Sequence, residues 1–289
     1  MVKPLTAGDR IRIVAPSGAF DRVKFDAGVA LIREAGFEPV FDPRIFERHR
    51  YLAGNDETRL AGVLEALADE HAGAIWTARG GYGATRIVDR IRPGSNAPWL
   101  IGFSDTTAVH SAWARLSLPS IHGANVTTLP DWGAAARQEL FALLKGDTRQ
   151  RFVGDAARSG SATGLLSGGN LTVLASMCGT GCLPNYRDRI VVLEDVGEVP
   201  YRIDRSLSQL LRGGGLAEAA GFVIGQLTRC GETSLEVIVE VLSAVGKPIL
   251  TGLPFGHDPD SRAVVLGAWA EIAGNVLSVD LDAGRAGVV

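Results

Sequence analysis

The sequence predicts an α/β protein in two parts, each a sheet covered by helices. Three observations carry that prediction. Short, near-continuously apolar runs alternate with segments of helical period through the first half, and strands of that kind are buried on both faces, as in a parallel sheet. The character of the chain changes after Pro130. At 289 residues, with 46% hydrophobic and 21% charged, the chain exceeds one ordinary domain and has the composition of a globular protein with a real core.

Taken in order, residues 10–15 (RIRIVA) are an apolar run ending in Pro16-Ser17-Gly18, a strand entering a turn. Val23, Ala27, Ala30, Leu31 and Ala35 recur at helical spacing, with Gly36 as the stop. A second strand spans 37–41. Asp56 is placed as the cap of a helix carrying Leu60, Val63, Leu64, Leu67 and Ala68. Residues 72–78 (AGAIWTA) are a third strand, followed by glycines and a short helix over 85–91. The fourth strand is 99–103 (WLIGF), with a helix from 106 to about 116, and the fifth is 120–123. One more helix covers 134–144.

The polar stretch GDTRQRFVGDAARSGSATG (146–164) reads as poor in periodic structure, which places the domain boundary near 150–160 and gives domains of 1–150 and 160–289. Beyond it, strands are expected at 190–194, 221–227, 249–253, 263–272 and 276–281. Between them lie one helix with Ile203, Leu207, Leu210 and Leu211 and another with Leu235, Ile238, Val239 and Leu242. Thr233 and Glu236 have capping-box spacing ahead of the latter.

A net charge of −3 without a basic block argues against a nucleic-acid partner. No run reaches the roughly 18 apolar residues of a membrane span, and the start, MVKPLTAGDRIRIVAPSG, lacks the pattern of a secretory signal, so a cytoplasmic location is expected. Cys178, Cys182 and Cys230 are too few for a disulfide framework, and SMCGTGC lacks the second pair that a zinc site needs. They read as buried, reduced thiols.

Ser104 follows WLIGF and precedes a helix, the strand-to-helix turn of a nucleophile elbow. The pattern G-x-S-x-G lacks its second glycine here, because Thr106 stands there, and on pattern alone a helix cap is the commoner use of Ser104 or Asp105. A hydrolytic serine needs a base, and there are five histidines. His49 reads as solvated and His71 as a helix-end residue. His110 is turned away from the strand end by its place on the helix. His122 in SIHGAN and His257 in LPFGHDPD both leave strand ends and are rivals. Glu194 ends the apolar run IVVL and needs a hydrogen-bonding partner, whereas Asp195 and Glu198 read as solvated. Glycines 80, 81 and 83 follow a strand, but G-G-Y-G is neither a dinucleotide fingerprint nor a P-loop; their N–H groups could instead face an oxyanion beside Ser104.

Six pieces in order, IVAPSG, ARGGYGATRI, IGFSDTTAVH, GLLSGGNLTVLASMCGT, VVLEDVGEVPYRIDRSLSQLL and GLPFGH, resemble one family, the LD-carboxypeptidases, also called murein or muramoyl-tetrapeptide carboxypeptidases. The tail after GLPFGH departs from the family pattern in lacking a proline before its Leu-Gly. The resemblance implies a serine peptidase with a Ser104, Glu194, His257 triad. It implies an N-terminal parallel-sheet domain like class I glutamine amidotransferases, a second α/β C-terminal domain, and a homodimer. The substrate would be a peptidoglycan tetrapeptide or its nucleotide-linked precursor, cut at the L,D bond before terminal D-alanine, in cytoplasmic wall recycling and without metal or organic cofactor. On that reading the N–H of Asp105 and one from Gly80 or Gly81 would hold the oxyanion, and Arg79 and Arg86 would be the candidates for the D-alanine carboxylate. The other readings are a peptidase of peptide–nucleotide conjugates resembling the microcin-C immunity enzymes, a non-catalytic binder of wall peptides, and a nucleotide-binding module through GGYGATR.

Overall fold

Two sheets organise the described residues, 3–147 and 149–283, of this computed structural model. The first holds β1 (Arg10–Val14), β2 (Glu38–Val40), β3 (Ala72–Thr77), β4 (Trp99–Gly102) and β5 (Ser120–His122), in the order β5-β4-β3-β1-β2 and all parallel. α1 (Arg22–Glu34), α2 (Asp56–Ala68), α3 (Thr107–Ala114) and α4 (Ala134–Leu144) make the connections. β4 is buried along its whole length, which is why its sequence is apolar without alternation. The strand order reverses between β1 and β3, so the loops leaving these two strands open a crevice at the carboxyl ends, the usual ligand site of such sheets.

The second sheet contains β6 (Arg149–Val153), β7 (Asp155–Arg158), β8 (Ser161–Asn170), β9 (Ile190–Val196), β10 (Gly221–Thr228) and β11 (Ile249–Thr251). β13 (Trp269–Ala273) and β14 (Val276–Asp280) complete it, and the order is β6-β14-β13-β8-β9-β10-β11-β7. β8 to β11 are mutually parallel and the flanking pairs antiparallel. α5 (Leu171–Ser176), α6 (Pro200–Gly213) and α7 (Ser234–Ser243) belong to this half, and α6 buries Ile203, Leu207 and Leu210 on one stripe. One strand, β12 (Val264–Leu266), leaves this half and adds itself antiparallel to β5 at the edge of the first sheet.

Several local expectations need correction. The stretch 146–164 forms β6, β7 and the start of β8. In RQRFV, Gln150 and Phe152 point inward and the arginines outward, a period-2 signal hidden by the flanking polar residues. The run 263–272 is not one strand: Gly267, at φ +77°, turns the chain between β12 and β13. Residues 85–91 form two 3-10 turns. Asn55, not Asp56, caps α2, its side chain accepting from the Thr58 N–H at 2.9 Å. Thr233 makes no side-chain cap bond to α7. Cys182 is buried, while Cys178 and Cys230 are only half-buried; all three are free thiols.

Candidate active site

β4 stops at Gly102, Phe103 is extended, and Ser104 lies at φ +62° before a 3-10 turn that runs into α3. A left-handed serine costs about 1–2 kcal/mol, the kind of strain that clusters at working sites. Neither Ser104 nor Asp105 caps the helix: no side-chain cap bond forms at the 3-10 turn or at α3. The buried Asp105 carboxylate reaches across instead to the N–H of Ala84 at 2.8 Å.

Nδ1 of His257 lies 2.8 Å from Oε2 of Glu194, which is fully buried. Oε1 of Glu194 has no protein partner among the described residues. With Nδ1 on the carboxylate, Nε2 is the basic nitrogen of the ring. The His257 ring packs on Phe103, the residue before Ser104, with centroids 4.6 Å apart. Its outer side borders a cleft of about 460 Å³ with Thr128, Asp131, Trp132, Asp258 and Pro259. A larger concavity, about 550 Å³, lies by Arg10, His71 and Pro98 at the opposite end of the first sheet, away from this chemistry.

What joins the serine to the pair is a contact between α3 and β8. The Thr107 hydroxyl accepts the N–H of Asn170 at 3.0 Å, and Asn170 stands in register with Glu194. Gly169 makes the approach possible, because a Cβ there would lie 2.6 Å from the Thr107 oxygen. Asp195, expected in solvent, is buried. It accepts from Asn170 Nδ2, the Thr172 N–H and the Thr172 hydroxyl, which fixes the same corner, and burial followed by nearby Glu194 raises its carboxyl.

The glycine loop approaches Ser104 from the other side. A Cβ on Gly80 would stand 2.8 Å from Ser104 Cβ and 3.0 Å from its oxygen. Among the described residues no acceptor binds the N–H groups of Gly80, Gly81 or Asp105. Arg79 donates to Ala19 O at 2.5 Å and stays beside the loop. Arg86 is engaged by Asp56 at 2.7 Å.

His110 is buried between Ser120 Oγ and Gly102 O, each at 2.8 Å, and burial lowers its pKa to about 3. Its place on the helix predicts a ring turned away from the strand end; instead it reaches the last carbonyl of β4 and is a neutral strut there. His122 is buried with neither ring nitrogen bonded to protein among the described residues, 6.2 Å from the Phe103 ring, and burial again lowers its pKa. Of the two rivals, only His257 holds Glu194. His49 and His71 are exposed. Sequence reasoning missed two contributors, Thr107 and the Asp105 side chain. Both sit within three residues of Ser104, in a motif read there for its serine, one N–H and a helix cap that the structure does not form.

A strained serine, an imidazole oriented by a buried carboxylate and free backbone N–H groups are the parts of an acyl-transfer site. Residues 11–123 match the LD-carboxypeptidase N-terminal domain family, and residues 163–272 the LD-carboxypeptidase C-terminal domain family. The murein tetrapeptide carboxypeptidase of Pseudomonas aeruginosa is 35% identical over 93% of this chain and 94% of that protein. The crystal structure of muramoyltetrapeptide carboxypeptidase from Oxalobacter formigenes superposes with a TM-score of 0.83 at 26% identity, covering 94% of this chain and 98% of that one. The microcin C7 self immunity protein MccF shares the fold, with a TM-score of 0.83 at 19% identity over 96% of this chain and 97% of that one.

Proposed function

Because this chain belongs to the LD-carboxypeptidase family, we propose that it is a serine carboxypeptidase that removes the terminal D-alanine from peptidoglycan tetrapeptides by cutting the L,D bond. The observation that carries the reading is His257 Nδ1 on the buried Glu194 at 2.8 Å, beside a serine held at φ +62°.

Nε2 of His257 takes the Ser104 proton as Oγ adds to the carbonyl carbon preceding D-alanine. The carbonyl π pair moves to oxygen, where the N–H of Asp105 and that of Gly80 or Gly81 receive it; one such donor is worth about 3 kcal/mol. Glu194 holds the tautomer and stabilises the imidazolium. The imidazolium then gives its proton to the departing amine as the C–N bond breaks. Water, deprotonated by the same nitrogen, attacks the ester and releases the tripeptide and Ser104. Arg79, beside the glycine loop, is the better-placed cation for the D-alanine carboxylate, since Arg86 is already paired. The triad draws Ser104 from one half and Glu194 and His257 from the other. A homodimer working in cytoplasmic wall recycling belongs to the same proposal; among the described residues no helix is long and apolar enough to cross a membrane.

A second reading is a peptidase of peptide–nucleotide conjugates. It is favoured by Tyr51 and Tyr82, both about half exposed beside the glycine loop with ring centroids 5.9 Å apart, which offer a face to a nucleobase. Supplying the wild-type enzyme, without added metal, with a tetrapeptide ending in D-alanine and with an aminoacyl-sulfamoyl adenosine separates the two. D-alanine release with the conjugate left intact is the expected result. Cleavage of the conjugate alone would replace the first reading by the second.

A further inference from the structure

The loop at residues 80–84 is anchored at three points. Gly18 N–H donates to Gly80 O at 3.1 Å, the buried Arg59 donates to Gly83 O at 2.8 Å, and Ala84 N–H donates to Oδ2 of Asp105 at 2.8 Å. The first anchor comes from the turn after β1 and the second from α2. Among the described residues, only the third comes from the segment that carries the nucleophile. Asp105 therefore has two ends in the site: its backbone N–H lies next to Ser104, and its carboxylate grips the facing loop.

We propose that the Asp105 side chain is a positioning residue that sets the separation of the two oxyanion donors, its own N–H and that of Gly80 or Gly81. The proposal rests on the peptidase reading above. Asp105 is 2% exposed and caps no helix, so neither solvation nor helix capping accounts for a carboxylate there. Burial raises its carboxyl, while the Ala84 N–H, then the Ser17 hydroxyl and the Arg59 charge pull it back. The tolerance is small. Gly80 already stands where a single added carbon would touch Ser104, and a displacement of about 1 Å in such a site can cost about 100-fold in rate.

The test compares wild type with Asp105→Ala, Asp105→Asn and Asp105→Ser, reading D-alanine release and amide exchange at Ala84. Asparagine keeps an oxygen that can accept the same bond, whereas serine is too short to reach it. With Asp105→Ala, kcat is expected to fall about 100-fold with KM within about threefold, and Ala84 to exchange faster. Asparagine should recover most of both. Serine should behave as alanine does, and it carries the comparison if the alanine variant does not fold. Wild-type kcat in a folded alanine or serine variant would overturn the proposal. So would unchanged Ala84 exchange in those variants, or an asparagine variant as slow as alanine. Exchange needs no substrate. A wild type that released no D-alanine would count against the peptidase reading, while exchange at Ala84 would still decide the anchor.

Discussion

On the proposed mechanism Ser104 combines two properties that pull in opposite directions, a nucleophilic oxygen and a backbone at φ +62°. The strain is worth about 1–2 kcal/mol for an L-residue; glycine avoids it but loses about 0.5–1 kcal/mol to its greater freedom when unfolded. Ser104→Gly is therefore expected to abolish turnover without lowering the urea midpoint, and a clear loss of stability would show the turn to be relaxed. The buried histidines set the response to acid. Burial holds the pKa values of His110 and His122 below the ordinary 6.5 in the folded state. Below that pH the unfolded chain binds protons that the folded chain does not. Their contribution is thus constant above about pH 6.5 and turns destabilising as pH falls, by up to about 1.4 kcal/mol per unit for each ring. For His110 the loss continues towards pH 3. Asp105 and Asp195, raised by burial, act in the opposite sense, holding protons in the folded state that the unfolded chain has released. His122→Phe removes one titrating ring without stranding a protein partner, so its unfolding midpoint should fall less than wild type between pH 7.5 and 5. An identical slope would contradict the assignment.

Among the elements, the junction of α3 with β8 matters most, because it brings Ser104 towards Glu194 through Thr107 and Asn170. Thr107→Val leaves a buried N–H without an acceptor, at a cost of about 1–3 kcal/mol. Calorimetry should show that loss, kcat should fall with it, and Thr107→Ser should restore both; equal behaviour of valine and serine would mean the hydroxyl is idle. This junction was not readable from sequence, since it joins positions 63 residues apart. Strands buried on both faces, such as WLIG, were readable, because burial leaves an unbroken apolar run. β7 was not: all four of its residues are exposed, and its partner β11 comes about ninety residues later. Glu194 was legible because a carboxylate ending an apolar strand must find a partner. The choice between His122 and His257 was not, because both follow strands and only the seating of the loop after β11 on β10, the neighbour of β9, decides which ring reaches the carboxylate.

At the scale of the whole molecule, the two halves are built into one another. β12 returns to the first sheet, and Gln150 ties β6 to that return through Ala263 O at 2.7 Å and the Val265 N–H at 3.1 Å. Arg262 reaches back to Glu139 of α4 while lying over the Phe152 ring. A continuous core runs from Ile121 and Leu140 to Leu166, Val223 and Ile272. Such a union can hold the proposed triad, whose members come from both halves, without a separate closing step. The most direct measurement is D-alanine release from a tetrapeptide ending in diaminopimelate–D-alanine, with wild type, Ser104→Ala and Glu194→Gln side by side and no added metal. Release by wild type alone, with both variants folded and at least about 1,000-fold slower, is the expected result. Release by folded Ser104→Ala at the wild-type rate would remove Ser104 as nucleophile and the triad with it.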